Sequence, residues 1–182
     1  SLVRFDDNDY SVPVAYAHHT VVVKGFYEEV RICHLNQTVA EHPRIWSKEK
    51  VRFEPLHYLA ILERKPGAWD HARPLEGWDL PECFEVLRRR LETEYEGGEG
   101  TREYIRVVRL LEKHPMKELR KGVEKGLRMG ALTRDAIAQF LYPQEAWRQT
   151  QFSLDGHPHL KEVMVQAPDI SQYGCLLAGG GR

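Results

Sequence analysis

The sequence has 182 residues, 42% of them hydrophobic and 29% charged, which suits a globular protein able to bury a core. Its 26 Lys and Arg against 27 Asp and Glu leave a formal charge of −1, excluding the wholesale basicity of an autonomous nucleic-acid binder. No apolar run approaches the roughly 18 residues of a membrane span and no secretory leader is visible, so Cys33, Cys83 and Cys175 read as reduced thiols of a cytoplasmic protein.

Taken in order, residues 1–54 read as a small all-β unit. Leu2-Val3-Arg4-Phe5 predicts a first strand, and Asp6-Asp7-Asn8-Asp9 is turn material. Tyr10, Val12, Val14 and Tyr16 alternate and would share one face of a second strand. Thr20 to Lys24 is strongly β-prone, and Gly25 permits a bend. Val30, Ile32 and His34 alternate in a fourth strand, Asn36-Gln37 makes the turn, and Val39 continues a fifth. Five short strands of this kind suit a small SH3-like antiparallel barrel.

Residues 55–75 form a hinge, where the apolar period lengthens from two to between three and four. Pro55 can open a helix whose face carries Leu56, Leu59 and Leu62 with Tyr58 and Ile61 beside it. Pro66-Gly67 stops it, and Trp69 is left as an anchor. A helical domain of four to five helices is expected over 76–148, making the whole α+β. Leu80, Phe84, Leu87, Leu91 and Tyr95 mark one helix, and Gly97 to Gly100 a flexible break. Thr101 is the expected cap of a helix with Tyr104, Val107, Val108 and Leu111. His114-Pro115 opens another with Met116, Leu119, Val123 and Leu127, weakened by Gly122, Gly126 and Gly130. Thr133 caps a last helix with Ile137, Phe140 and Leu141, stopped by Pro143. After Trp147 the periodicity fades, and 149–182 reads as a weakly structured tail ending in Gly179-Gly180-Gly181.

The segment from His42 to Arg52 is the strongest candidate for nucleic acid, because Arg44, Lys48, Lys50 and Arg52 can neutralise phosphates while Trp46 packs on sugar or base. Lys24 and Arg31 extend it on neighbouring strands. A plain solvated loop with Trp46 in the core is the alternative. Counting Lys and Arg against Asp and Glu, residues 67–100 hold 4 against 9 and residues 101–150 hold 11 against 6. In the basic stretch, Arg102, Arg106, Arg109 and Lys113 form a stripe that would meet an acidic partner or phosphates, or remain solvated. Arg88-Arg89-Arg90 fans around its helix and reads as solvated. Asp6, Asp7 and Asp9 read as turn residues rather than metal ligands. His18-His19, Cys33-His34 and His157-Pro158-His159 hold ligand types without metal-site spacing.

Two motifs carry a resemblance. The run Leu56-His57-Tyr58-Leu59, followed by Leu62-Glu63-Arg64-Lys65-Pro66-Gly67-Ala68, resembles the region after the catalytic core of IstA-type insertion-sequence transposases. Val3 to Pro13 resembles the first strands of that family's Mu-transposase-like C-terminal β-barrel. The resemblance implies a non-catalytic module that supports DNA ends or target in a synaptic complex during transposition and integration. The RNase H-like domain, with its three carboxylates and Mg, would lie upstream, in keeping with a sequence that enters a strand directly after Ser1. No cofactor is then expected in this chain. DNA, sister transposase subunits and an IstB-like ATPase helper are the partners implied. The rival reading is a protein-interaction module without DNA contact.

Overall fold

The computed structural model describes residues 1–142 and shows an α+β chain, strands first and helices after. The strands are β1 (Leu2–Phe5), β2 (Asn8–Ser11), β3 (Val22–Gly25), β4 (Glu29–His34), β5 (Gln37–Pro43) and β6 (Val51–Arg52). They form two three-stranded sheets, ordered β1-β2-β6 and β3-β4-β5. Every pair is antiparallel except β2–β6, which is parallel, so the purely antiparallel expectation is corrected at this one seam. β6 was too short to leave an alternating pattern, and its place is set by Tyr10 lying in register with Arg52.

Both sheets turn their apolar faces to one core of Tyr10, Val12, Val30, Ile32 and Ala40, with Val3, Phe5 and Val23 packed against it. Phe5 also ties the sheets together across Gly25: a Cβ there would stand 2.2 Å from the ring, so only glycine admits the contact. The second strand is shorter than the alternation suggests. Pro13 removes a donor after Val12, and Val14–Tyr16 is a 3-10 turn, not strand. The β1–β2 turn is Asp6-Asp7 and the β4–β5 turn Leu35-Asn36, each with both residues at positive φ as a two-residue hairpin demands. The second turn therefore lies one residue earlier than the expected Asn36-Gln37.

The helices are α1 (Leu59–Arg64), α2 (Glu82–Glu94), α3 (Glu99–Val108), α4 (Met116–Met129) and α5 (Arg134–Leu141), with 3-10 turns at Pro55–Tyr58, Pro66–His71, Arg73–Leu75 and Arg109–Glu112. Leu59, Leu62 and Trp69 belong to the same core as Phe84, Leu87, Leu91, Tyr104, Ile105, Val107, Val108, Leu119, Val123 and Ile137. Ile61 is exposed instead of flanking the buried face, because α1 offers only the Leu59/Leu62 side to the bundle. Thr133 caps α5 by accepting from the Ala136 N–H.

Thr101 does not cap α3. Gly98, in the left-handed region, takes that place, and the Thr101 hydroxyl donates to Glu92 Oε1 instead. The expected flexible break is in fact a tight one. Gly100 is buried with an added Cβ only 2.4 Å from the Leu91 carbonyl oxygen, so α2 and α3 touch backbone to backbone. Gly122 and Gly126 act likewise between α4 and α5, where Leu141 and Ile137 fill the space a methyl would take. What they cost in helix propensity is returned as close packing.

Ser11 joins strands to helices. Its hydroxyl accepts from the Glu54 N–H at 2.8 Å and shares a hydrogen bond of 2.8 Å with His57 Nδ1. His42 Nε2 donates to the Ser11 carbonyl at 2.7 Å, and the His42 and His57 rings meet edge to face. Burial, then the neighbouring His42, pushes the His57 imidazole down to about 4; burial lowers His42 as well.

Cys33 and Cys83 are free thiols. The tail 149–182, Pro143, Trp147, Cys175 and the His157/His159 pair lie outside the described residues. No helix among the described residues is long and apolar enough to cross a membrane.

Candidate nucleic-acid interface

Asn8 builds the segment singled out for phosphate contact. Buried after the β1–β2 turn, its amide donates to the Ser47 carbonyl at 2.6 Å and accepts from the Lys50 N–H at 3.0 Å. The Tyr10 hydroxyl accepts from the Ile45 N–H at 2.9 Å. These bonds hold residues 45–50 as a shaped loop over the sheet edge.

Trp46 stands at the front of that loop, 63% exposed, so it is not a core residue. Tyr27, on the β3–β4 turn, is 78% exposed and lies 5.4 Å from it, centroid to centroid. Phe26 is exposed beside Tyr27. Tyr27 was not singled out from the sequence, although Phe26-Tyr27 directly after Gly25 is a signal: adjacent aromatics in a hairpin turn cannot both reach one core face.

The seven sequence candidates divide by what they touch. Arg44 is committed within the fold: it pairs with Asp6 at 2.9 Å, donates to the Phe26 carbonyl at 2.9 Å and stacks 4.2 Å over Trp46. Arg31 is paired with Glu29 and, at 2.8 Å, with Glu41, while lying over the Phe26 ring. Lys48 reaches Asp7 at 3.1 Å across exposed surface. Among the described residues, Lys24, Lys50 and Arg52 make no ion pair, and all three are exposed. The uncommitted charge is thus Lys24, Lys50 and Arg52, and Arg44 is the clamp that orients Trp46.

The second stripe is also engaged. Arg106 and Arg109 converge on Glu63 at 3.1 and 2.5 Å, and Arg102 donates to the Glu63 carbonyl at 3.2 Å. Arg106 further pairs with Glu103 and Arg109 with Glu112. Burial alone would raise the Glu63 carboxyl, but bonds from Arg109 and Arg106 outweigh it and hold the group below its ordinary range. The stripe fastens α1 to α3. Lys113 lines the open cleft of about 400 Å³ beside it, together with Glu112, Arg134 and Asp135. The Arg88-Arg89-Arg90 triplet does fan out, yet Arg88 is not solvated: it grips Asp70 with two bonds of 2.7 and 2.9 Å.

Asp6 and Asp7 serve the turn and pair with Arg44 and Lys48. His19 and His34 approach edge to face at 5.2 Å, but each Nδ1 meets a backbone carbonyl, Ala17 and Thr20 respectively. No group of three or more His, Cys, Asp or Glu that could hold a metal ion, such as the Mg implied for the parent enzyme, converges among the described residues.

Residues 1–54 match the family model of the Mu transposase, C-terminal domain. A transposase of Aminobacter aminovorans is 30% identical over 146 residues, covering 78% of this chain. Transposases for insertion sequences IS1326/IS1353 of Pseudomonas aeruginosa and Shigella flexneri are 28% identical over 145 residues, covering 77% of this chain. The chain spans 28% of the length of these curated relatives. No solved structure matches it. By both its first 54 residues and the longer alignments, the chain is similar to a C-terminal region of transposases.

Proposed function

We propose that this chain is a non-catalytic module of a transposase, of the IstA type, that holds transposon-end or target DNA while other parts of the parent protein carry out cutting and joining. The observation that carries the reading is the exposed Tyr27–Trp46 pair, oriented by Arg44 and accompanied by Lys24, Lys50 and Arg52, whose charges no ion pair satisfies among the described residues. Aromatic faces give sequence-tolerant stacking, and free cations displace counterions from phosphates. The helical part then serves assembly with sister subunits.

The test is a salt titration of DNA binding by fluorescence anisotropy. Trp46→Ala should weaken binding by about tenfold with the salt slope unchanged, since stacking is worth roughly 1–3 kcal/mol per base. The triple variant Lys24→Gln/Lys50→Gln/Arg52→Gln should flatten the slope by about 2–3 units, near 0.9 per phosphate contact. A slope equal to that of the wild type would overturn the reading.

A further inference from the structure

A second cleft, of about 430 Å³, opens on the helical part and differs in character from the first. Its walls include Trp69, Trp78 and Tyr104, and its rim carries Glu76, Asp79 and Glu85; no lysine or arginine among the described residues lines it. Glu85 is paired with Arg89, but Glu76 and Asp79 have no ion-pair partner among the described residues. Tyr104 is only 3% exposed, and among the described residues its hydroxyl has no hydrogen-bond partner, although it borders the cleft. An occupant of the cleft can bond that hydroxyl, which both donates and accepts. Trp69 lies edge to face with Tyr104 at 5.2 Å and is itself largely buried.

We infer that this cleft receives an arginine side chain presented by an extended segment of a partner protein. A guanidinium is planar, stacks on indole and phenol faces, and donates in several directions at once. The free carboxylates of Glu76 and Asp79 accept some of those bonds and neutralise the charge, while the Tyr104 oxygen accepts another. An anionic ligand is disfavoured by the rim, and an aliphatic side chain would leave Tyr104 unpaired. The surface is acidic where the strand unit offers free cations, so it addresses a ligand of opposite sign and stands independently of the DNA reading.

The experiment titrates the full chain with an acetylated, amidated Gly-Arg-Gly peptide and with its citrulline counterpart, following the indole N–H signals of Trp69 and Trp78 by NMR. The arginine peptide should shift both signals saturably. The citrulline peptide should bind about tenfold more weakly, because it lacks the charge that strengthens the bonds. Glu76→Gln/Asp79→Asn should lower arginine affinity by a similar factor with the far-UV spectrum unchanged. Tyr104→Phe, which keeps the ring, should lower it too. Equal affinity for the two peptides, or undiminished binding by the double variant, overturns the proposal, as does the absence of any saturable shift.

Discussion

At Arg44 a single side chain meets Asp6, the Phe26 carbonyl and the Trp46 ring, with Phe5 at 5.6 Å on another side. Its Nε is buried without a partner, a cost that the other contacts must offset. A guanidinium can do this because its fork donates in-plane while its faces stack; a lysine cannot. Arg44→Ala should therefore lower stability by about 1–3 kcal/mol, the range for losing a charged hydrogen-bonding partner. Arg44→Lys should recover less than half of that. Urea unfolding monitored at Trp46 checks both, and a fully stable lysine variant would reduce Arg44 to a simple surface charge. From sequence, this residue was grouped with Lys48, Lys50 and Arg52 because all four are basic and close in the chain. What separates them is tertiary: Asp6, 38 positions away, claims one and not the others.

At the scale of elements, apolar spacing carried the helices well, since Phe84, Leu87 and Leu91, or Leu119 and Val123, repeat with the helical period and are fully buried. Ends and glycines were harder to read. Gly97 to Gly100 has the composition of a flexible link, yet two of its glycines make a sharp corner and Gly100 packs under the Leu91 carbonyl. Nothing local in a glycine says whether its missing Cβ faces solvent or another backbone. Gly100→Ala makes the difference measurable. The substitution gains roughly 1 kcal/mol of helix propensity, but the methyl would stand 2.4 Å from a backbone oxygen that cannot rotate away. Overpacking of this kind costs about 1–3 kcal/mol, so net destabilisation is expected. Gly67→Ala, with no atom within 4 Å of the added carbon, should be close to neutral under the same thermal melt. A stabilised Gly100→Ala would mean that α2 and α3 do not approach as described.

Across the whole molecule, several charges are held in internal pairs: Asp70 with Arg88, Glu63 with Arg106 and Arg109, Glu85 with Arg89. The contact between strands and helices at Ser11 is made by neutral groups instead. There, Ser11 holds His57, and His42 holds Ser11. Both imidazoles are neutral in the folded chain because burial lowers their proton affinity, His57 to about 4. Unfolded, each regains an ordinary value near 6.5. Between those values the unfolded chain binds more protons than the folded one, so stability falls as pH falls and is full above about 6.5. Carboxylates such as Glu63, held below their usual range by arginines, add their own loss only at lower pH, near and below about 4.5. The window from pH 6.5 to 5 therefore isolates the histidines. Urea midpoints should be level from pH 8 to 7 and decline steadily to pH 5. In His57→Asn, whose amide can still bond Ser11, the midpoint at pH 7 should drop, but the decline toward pH 5 should become shallower, what remains belonging to His42. A variant that declines as steeply as the parent would show that His57 is not held neutral at this junction, and the account of how strands and helices are joined would have to be rebuilt around other residues.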